Sequence, residues 1–350
     1  MCPKLWEMRV LAFMFSGLFL HAIRAQVKSY IIANNYSGST LQYSERYEVL
    51  RAGTSLREST IQIGGFLSAT DAKVQNITYV NEANNAIIRV DNITVGTTEV
   101  FNRATVKMST QATINKGSLI LFQARHMPYG CSLWPGLWTL GGNSSNWPQY
   151  GEIDIVENVN LATNNQYSLH TIQGCNRPPY PIGNETGWIV QSSCWNMTND
   201  NEGCIVIENK ANNYGQGFAL NGGGAYAVLW DDEGIRFWFF PQLSIPPDLP
   251  STSPNPGNWG PPSAFYPQST CNTTLYFGPQ TIILQTLVCG LYAGAPEVFN
   301  SGGLCKGSCS DLVRDPRNYD QAYFEIEFLR VFVDFDNITF INDFNDLING

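Results

Sequence analysis

The sequence predicts an all-β protein built from antiparallel sheets. Its apolar residues fall mostly into short runs separated by Gly, Asn and Pro, and few stretches have the periodicity of an amphipathic helix. Strands are predicted at 86–90, 118–122 and 281–288. Residues 225–230 and 235–240 flank the turn sequence Asp-Asp-Glu-Gly and predict a hairpin. Many short strands without helices indicate a sandwich of two antiparallel sheets.

One further strand is predicted over 323–333. Its apolar and polar residues alternate and then change phase near Phe328-Leu329. We therefore expect a bend or a β-bulge at that point.

The run 151–160 carries three carboxylates among Ile and Val residues. Ile and Val favour strands, and residues two apart in a strand share a face, so Glu152 and Asp154 point the same way. Glu157 would face the other side unless a β-bulge at Ile155-Val156 added one residue. With that bulge, the two glutamate carboxyl groups could approach to about 5–6 Å, close to the ~5–5.5 Å of a retaining glycosidase.

The alternative interpretation is the solvated face of an amphipathic strand. Charged residues are only 14% of the chain, so three of them within six residues are unusual here. A structural face would also more naturally mix the two signs of charge. We therefore favour a catalytic role.

The pattern Glu-x-Asp-x-x-Glu and its surroundings resemble glycoside hydrolase family 16, in its laminarinase-like branch. The resemblance covers most of residues 100–334 and implies a β-jelly roll with a substrate cleft on its concave face. The segments that carry it are 126–139, 146–148, 166–171, 235–241, 245–248 and 289–294.

The resemblance implies a role for each acidic residue. Glu152 would be the nucleophile of a retaining glycosidase, and Glu157 the general acid and then the base. Asp154, between them, would raise the proton affinity of a neighbour. His170 matches a family position close to the acid/base, where it could hold Glu157 by a hydrogen bond, and a purely structural histidine is the alternative.

Aromatic rings can stack on the C–H faces of sugars. By resemblance, Trp138 and Trp147 match cleft positions, whereas Trp134 is expected in the core. Arg103 matches a family arginine that can hydrogen-bond substrate, although a structural ion pair would explain it as well. The family commonly has Asp-Trp where this chain has Leu291-Tyr292, and Tyr292 could still stack on a sugar over a smaller area.

Residues 1–25 are typical of a secretory signal peptide, with Lys4 and Arg9 before an apolar run at 10–20. A membrane anchor is the competing interpretation, but the run is shorter than the ~20 residues of a membrane span. We expect one catalytic domain over 26–350. The proline-rich stretch 246–262 is interpreted as a loop within it, since the family resemblance continues on both sides.

Cysteine usage agrees with export. There are 9 cysteines, and Cys2 lies in the signal segment, which leaves an even number for disulfides. The pairing stays open, with Cys194–Cys204 as one candidate. A zinc site is disfavoured because no Cys-x-x-Cys pair occurs. Eight Asn-x-Ser/Thr sequons could carry glycans.

The net charge of −9 disfavours nucleic acid or an anionic membrane as a partner and suits a neutral polysaccharide. We expect a monomer whose partner is its β-glucan substrate. No cofactor or metal is predicted. The family can hold a structural calcium, but no ligand set for it is visible in the sequence.

Together these features predict a secreted, retaining endo-β-glucanase acting on β-1,3- or mixed β-1,3/1,4-glucan. A cell-wall transglycosylase, in which a sugar replaces water as acceptor, shares the covalent intermediate and is one alternative. A non-catalytic, lectin-like glucan-binding protein is another. It is disfavoured because all three carboxylates are present.

Overall fold

The computed structural model describes residues 28–43, 45–48, 64–98 and 101–334. The predicted signal peptide, residues 1–25, lies outside the described residues. Within them the strands are β1 (Tyr30–Tyr36), β2 (Glu45–Glu48), β3 (Gly64–Phe66), β4 (Thr78–Val80), β5 (Ala86–Arg89), β6 (Arg103–Thr105), β7 (Lys107–Thr110), β8 (Ser118–His126), β9 (Leu133–Gly141), β10 (Glu152–Glu157), β11 (Gln166–His170), β12 (Trp188–Ile189), β13 (Cys204–Ile207), β14 (Gly224–Asp231), β15 (Gly234–Pro241), β16 (Ala264–Pro267), β17 (Gln280–Val288) and β18 (Tyr323–Asp334).

The strands form two large antiparallel sheets and a short parallel pair, β3–β6. The first sheet has the order β16-β15-β14-β8-β18-β5-β4, and β1 also pairs with β18. The second has the order β12-β13-β11-β10-β9-β17-β7-β2, with β10 near its centre. This architecture confirms the predicted all-β, antiparallel β-jelly-roll sandwich.

Short helices occupy some connections, which the sequence did not predict. They are α1 (Ser39–Tyr43), α2 (Ala69–Val74), α3 (Gly215–Leu220), α4 (Thr273–Tyr276), α5 (Gly290–Ala293), α6 (Pro296–Phe299) and α7 (Cys309–Leu312). None of the described helices has both the length and the apolar character needed to cross a membrane.

The main core lies between the two large sheets. Both sheets contribute fully buried apolar rows to it, including Phe122, Tyr226, Phe237, Ile153, Tyr167 and Val206. Because side chains alternate along a strand, the polar residues of β10 and β11 then point to the opposite, outer face of the second sheet. The candidate catalytic residues therefore lie outside the core.

A second apolar cluster covers the outer face of the first sheet, where Leu249 and Trp259 pack on Trp238 and Phe240. Leu249 and Trp259 belong to the proline-rich stretch 246–262. This stretch is thus a loop packed against the sheet, as interpreted from the sequence.

The three predicted strands correspond to β5, β8 and β17, and the predicted hairpin is β14–β15. In β18 the pattern of burial changes phase at Phe328-Leu329, as expected. The register with β8 shifts just before it, between Glu325 and Phe328.

Four disulfides join the eight cysteines outside the signal segment. Cys194–Cys204 is the predicted candidate, and it links residues 10 apart in sequence. The other bridges are Cys131–Cys305, Cys175–Cys271 and Cys289–Cys309.

Candidate active site

Strand β10 lies between β9 and β11, and it contains the bulge at Ile155-Val156 that the catalytic interpretation of Glu157 required. Asp154 pairs with Ser168 and Glu157 pairs with Gln166, so three steps along β10 match two along β11. Ile155 has no cross-strand partner on either neighbouring strand, which identifies it as the inserted residue. The insertion returns Glu157 to the face that carries Asp154.

Asn165 fixes the bulge. Its side-chain oxygen accepts the backbone N–H of Glu157 at 2.9 Å, and its side-chain nitrogen donates to the carbonyl of Ile155 at 2.9 Å. The backbone N–H of Asn165 donates to the side chain of Asn213 at 2.5 Å. Asn165 is completely buried, so these bonds are protected from competing water.

Three side chains contact the carboxyl group of Glu157. Trp134 Nε1 donates to Oε1 at 3.0 Å, and Gln166 Nε2 donates to Oε2 at 3.0 Å. Ser168 Oγ lies 3.3 Å from Oε2 and 2.8 Å from Oδ2 of Asp154. A hydroxyl has one proton and cannot donate to both carboxylates at once. The longer contact is therefore most favourable when Glu157 carries a proton and donates it to Ser168.

Glu152 is held by a different set of partners. Trp147 Nε1 donates to Oε2 of Glu152 at 2.7 Å. His170 Nε2 lies 3.9 Å from Oε1 of Glu152 and 3.4 Å from Oδ2 of Asp154. The two glutamates thus have separate environments, which allows their protonation states to differ.

The predicted hydrogen bond from His170 to Glu157 is wrong. His170 lies directly across from Glu152 in the sheet register and bridges Glu152 and Asp154. The reason is the bulge, which carries Glu157 further along the strand, to the level of Gln166. His170 Nδ1 is buried, with no hydrogen-bond partner among the described residues.

The three carboxylates and His170 influence one another's ionisation. Burial and the charge of Asp154 raise the pKa of Glu157 to about 7. The same two causes raise the pKa of Glu152 well above its usual value, and the His170 charge and the Trp147 hydrogen bond oppose that shift. Burial lowers the pKa of His170, but the hydrogen bond to Asp154 and the charges of the carboxylates outweigh it and raise the pKa to about 9. His170 is therefore a cation at neutral pH.

Trp138 lies opposite Asp154 on β9, and cross-strand partners share a face, so it belongs to the carboxylate face. It is half-buried, and Lys107 Nζ lies 5.5 Å from the centre of its ring. Trp134 lies on the same face of β9 as Trp138. It is half-buried, and its indole N–H donates a hydrogen bond to Glu157. The expectation that Trp134 is a core residue is therefore wrong.

The prediction that Arg103 binds substrate is also wrong. Its side chain is fully buried and forms an ion pair with Asp91 at 3.2 Å. It also donates to the backbone carbonyls of Val313 and Thr94, and the ring of Tyr319 lies 4.9 Å from its guanidinium carbon. The structure instead contains the ion pair that the sequence left open as the alternative.

Tyr292, at the end of the site nearest Glu157, packs edge-on against Trp134 with ring centres 5.5 Å apart. Burial and the charge of Glu157 raise the pKa of its hydroxyl. Leu291 beside it is 52% exposed. Tyr292 therefore contacts Trp134, which in turn donates a hydrogen bond to Glu157.

Among the described residues, oxygen and nitrogen atoms of Glu152, Asp154 and His170 lie within 4.8 Å of one another, close enough to hold a metal ion. Each of these groups already has a polar partner in the site, since His170 faces Asp154 and Glu152, and Glu152 accepts from Trp147. The donor set is thus better suited to proton chemistry than to a metal.

Sequence reasoning missed Trp134, Asn165, Gln166 and Ser168. The signal for two of them was present, since Gln166, Ser168 and His170 alternate along one strand and must share a face. Asn165 precedes that strand and gives no such signal.

Comparison with known proteins identifies the family. The family model described as "XgeA-like, catalytic GH16 domain" matches residues 62–332. The chain belongs to glycoside hydrolase family 16. This glycoside hydrolase is 34% identical over 329 residues to an endo-1,3(4)-β-glucanase of Arthroderma benhamiae, a match that covers 91% of this chain and 68% of that protein. It is 42% identical over 217 residues to a probable glycosidase of Schizosaccharomyces pombe, which covers 61% of this chain and half of the relative's length.

Solved structures show the same fold. Laminarinase 16A from Phanerochaete chrysosporium, with 6-O-glucosyl-laminaritriose in its donor and acceptor sites, matches with a TM-score of 0.79 and 32% identity, over 87% of this chain and 99% of that one. An elongating family 16 β-1,3-glucosyltransferase matches with a TM-score of 0.76 and 29% identity, over 87% of this chain and 100% of that one.

Proposed function

We propose that this family 16 glycoside hydrolase is a retaining endo-β-glucanase acting on β-1,3- or mixed β-1,3/1,4-glucan. The observation that carries the proposal is the bulge in β10, because it places Glu152 and Glu157 on one face of the sheet with separate partners. The endo-1,3(4)-β-glucanase relative at 34% identity supports the substrate class.

In the proposed reaction, the carboxylate of Glu152 attacks the anomeric carbon while Glu157 gives its proton to the glycosidic oxygen. The bond to the leaving sugar breaks, and a glycosyl ester forms on Glu152. Glu157, now ionised, takes a proton from a water molecule that attacks the same carbon. This second step releases Glu152 and returns the proton to Glu157, and the two inversions retain the anomeric configuration.

The reactive form needs Glu152 ionised and Glu157 protonated. Protonated His170 and the indole N–H of Trp147 favour the anion of Glu152, and they oppose the burial and the charge of Asp154, which raise its pKa well above the usual value. Burial and the charge of Asp154 favour the neutral form of Glu157, whose pKa is raised to about 7. These groups titrate as a coupled set, so the catalytically competent form is one distribution of protons over the whole cluster.

Product analysis with purified protein tests the proposal. We expect oligosaccharides from laminarin, and from lichenan or barley β-glucan if mixed linkages are accepted. Proton NMR of the first product should show the β-anomer. Initial appearance of the α-anomer would contradict the mechanism, and binding of all three glucans without cleavage would favour the lectin-like alternative.

Transglycosylation is the second candidate, and the structural likeness to a β-1,3-glucosyltransferase favours it specifically. Transfer to a sugar uses the same ester on Glu152 but replaces water with a hydroxyl of a second glucan. Incubation with laminari-oligosaccharides at high concentration distinguishes the two reactions, since products longer than the substrate form only by transfer.

We further infer that the protein works outside the cell as a monomer. The four disulfides suit an oxidising compartment. Recovery from the culture medium with intact disulfides and a monomeric elution volume would support this inference. Retention in the cytosol would contradict it.

A further inference from the structure

Trp188 lies on the edge strand of the catalytic sheet, in line with the acid/base. In the cross-strand register, Glu157 pairs with Gln166, Gln166 with Ile207, and Ile207 with Trp188. Residues paired across antiparallel strands project from the same face. Trp188 therefore belongs to the same face and the same row as Glu157, three strands away.

The packing of the next residue supports this orientation. Ile189 pairs with Val206 and packs against the core between the two sheets. Because side chains alternate along a strand, Trp188 must point outward. Its side chain is 57% exposed, and none of the described rings or cations stacks on it.

A large exposed indole lacks a structural reason here. Tryptophan is usually mostly buried, and one at the surface presents its apolar ring and its N–H to water or to a partner. Within the described part of the chain, the indole N–H of Trp188 has no such partner. Val190, on the same side of the chain, is 60% exposed, so the two side chains form an apolar patch at the edge of the sheet.

We propose that Trp188 is a sugar-binding platform at the end of the glucan-binding face, where its ring stacks on a pyranose unit of the bound chain distant from the cleaved bond. Three steps at ~4.8 Å between strands place it about 14 Å from Glu157 along the row, which is further than one sugar ring. A polysaccharide lying across the strands would pass over both residues.

The proposal rests on the proposed glucanase activity, and it names the part of the substrate that the edge strand binds. The patch has no charge, which suits a neutral glucan. An indole covers the C–H face of a pyranose and excludes water from it. The platform can engage only chains long enough to reach from the catalytic row to the edge strand, so it should favour long substrates.

The experiment compares Trp188→Ala with the wild type on long laminarin and on an activated aryl β-glucoside too short to reach the edge. For laminarin we expect KM to rise about fivefold with kcat within about twofold, because the ring contributes to binding in both ground and transition states. For the short substrate we expect no change. Trp188→Phe, which retains a smaller ring, should be intermediate.

Tyr79→Ala is the matched control. Tyr79 is an exposed aromatic residue on an edge strand of the other sheet, 36% exposed, and its removal should leave both substrates unaffected. Equal KM values for laminarin in Trp188→Ala and wild type would overturn the proposal. Equal losses on both substrates with a lower melting temperature would also overturn it, by showing a packing role.

A direct binding measurement separates this inference from the proposed reaction. Laminarin binding by Glu152→Gln, with and without Trp188→Ala, does not require turnover. If the wild type shows no activity but Trp188→Ala still weakens laminarin binding about fivefold, the platform stands and the glucanase proposal fails. If the wild type is active and Trp188→Ala binds laminarin normally, only the platform fails.

Discussion

The side-chain oxygen of Asn165 accepts the backbone N–H of Glu157 at 2.9 Å, while its nitrogen donates to the inserted residue Ile155. One buried amide thus satisfies two backbone groups that the bulge removes from regular pairing. The position of Glu157, the proposed acid/base, therefore depends on a residue outside the row of carboxylates.

Asn165→Ala should therefore impair the acid/base more than the nucleophile. It removes both side-chain bonds and leaves two buried backbone groups unsatisfied, at about 1–3 kcal/mol each. We expect laminarin hydrolysis to fall at least about tenfold, because a displaced acid cannot protonate the leaving sugar. Hydrolysis of an activated aryl glycoside, which needs little protonation, should fall much less.

Asn160→Ala is the matched control for Asn165→Ala. Asn160 also bridges two backbone groups, accepting from Ser132 at 2.8 Å and donating to Ala293 at 3.1 Å. Its loss should lower the melting temperature without changing the ratio of the two activities. If Asn165→Ala also left the ratio of laminarin to aryl glycoside activity unchanged, the Asn165 hydrogen bonds would stabilise the fold without positioning Glu157.

Glu157→Gln should abolish laminarin hydrolysis, because the amide cannot protonate the leaving sugar. It should retain some activity on an activated aryl glycoside, because that leaving group departs without a proton. Glu152→Gln should lose both activities because no ester can form. The control Glu233→Gln lies in the turn between β14 and β15 and should behave like the wild type. Laminarin cleavage by Glu157→Gln within about tenfold of wild type would refute the assignment of the acid.

His170→Gln should move the acidic limb of the pH–activity profile to higher pH. The His170 cation favours the ionised form of Glu152, so its removal raises the pKa of Glu152 further. Glu152 is then ionised, and able to attack, only at higher pH. The alkaline limb of wild-type kcat/KM should follow loss of the Glu157 proton, near pH 7.

His126→Gln is the control for this profile. His126 stacks on Tyr323 with ring centres 3.7 Å apart and lies in the first sheet, away from the carboxylates. It should change stability without moving either limb. A His170→Gln profile that overlays the wild type would mean that His170 does not set the ionisation of Glu152.

Trp147→Phe should also shift the acidic limb upward, because it removes the N–H that donates to Glu152 at 2.7 Å and keeps an aromatic ring beside His170. We expect a smaller shift than for His170→Gln, since a neutral donor is lost rather than a charge. Trp259→Phe removes an equivalent indole bond to Asp248 in the proline-rich loop and should leave the profile unchanged. The measurement is kcat/KM on laminarin as a function of pH.

Arg103→Leu should destabilise the protein without a specific effect on substrate binding. It leaves Asp91 as an unpaired buried carboxylate, and breaking a buried ion pair in this way costs about 3–5 kcal/mol. Urea unfolding monitored by fluorescence measures the loss. Arg317→Leu removes an exposed ion pair with Asp315 and should change stability little. A raised KM for laminarin with unchanged unfolding would restore Arg103 as a substrate contact.

Strand β10, which carries the three carboxylates, is the part of the site that the sequence predicts best. Side-chain alternation was enough to predict the shared face of Glu152 and Asp154, and the catalytic interpretation of Glu157 then required the bulge that the structure contains. The shared face follows from local backbone geometry, whereas the bulge is fixed by Asn165 on the neighbouring chain segment. The hairpin β14–β15 and the disulfide Cys194–Cys204 are local in the same sense, because their partners are close in sequence.

What each side chain touches depended on tertiary structure. Arg103 reaches Val313, more than two hundred positions away, and no local pattern distinguishes this buried contact from exposure in a cleft. The register between β10 and β11 decided that His170 bonds Asp154 rather than Glu157. One residue of shift in a sheet changes every cross-strand pair, and that shift is set by the packing of the whole sandwich.

The sequence by itself thus determined the strand-forming segments, the shared face of Glu152 and Asp154 and the family to which the chain is similar. Only the tertiary structure decided the partners of those carboxylates, the burial of Arg103 and the alignment of Trp188 with the catalytic row. The physical reason is that alternation and turns are fixed by neighbouring residues, whereas burial and register depend on contacts between strands distant in sequence.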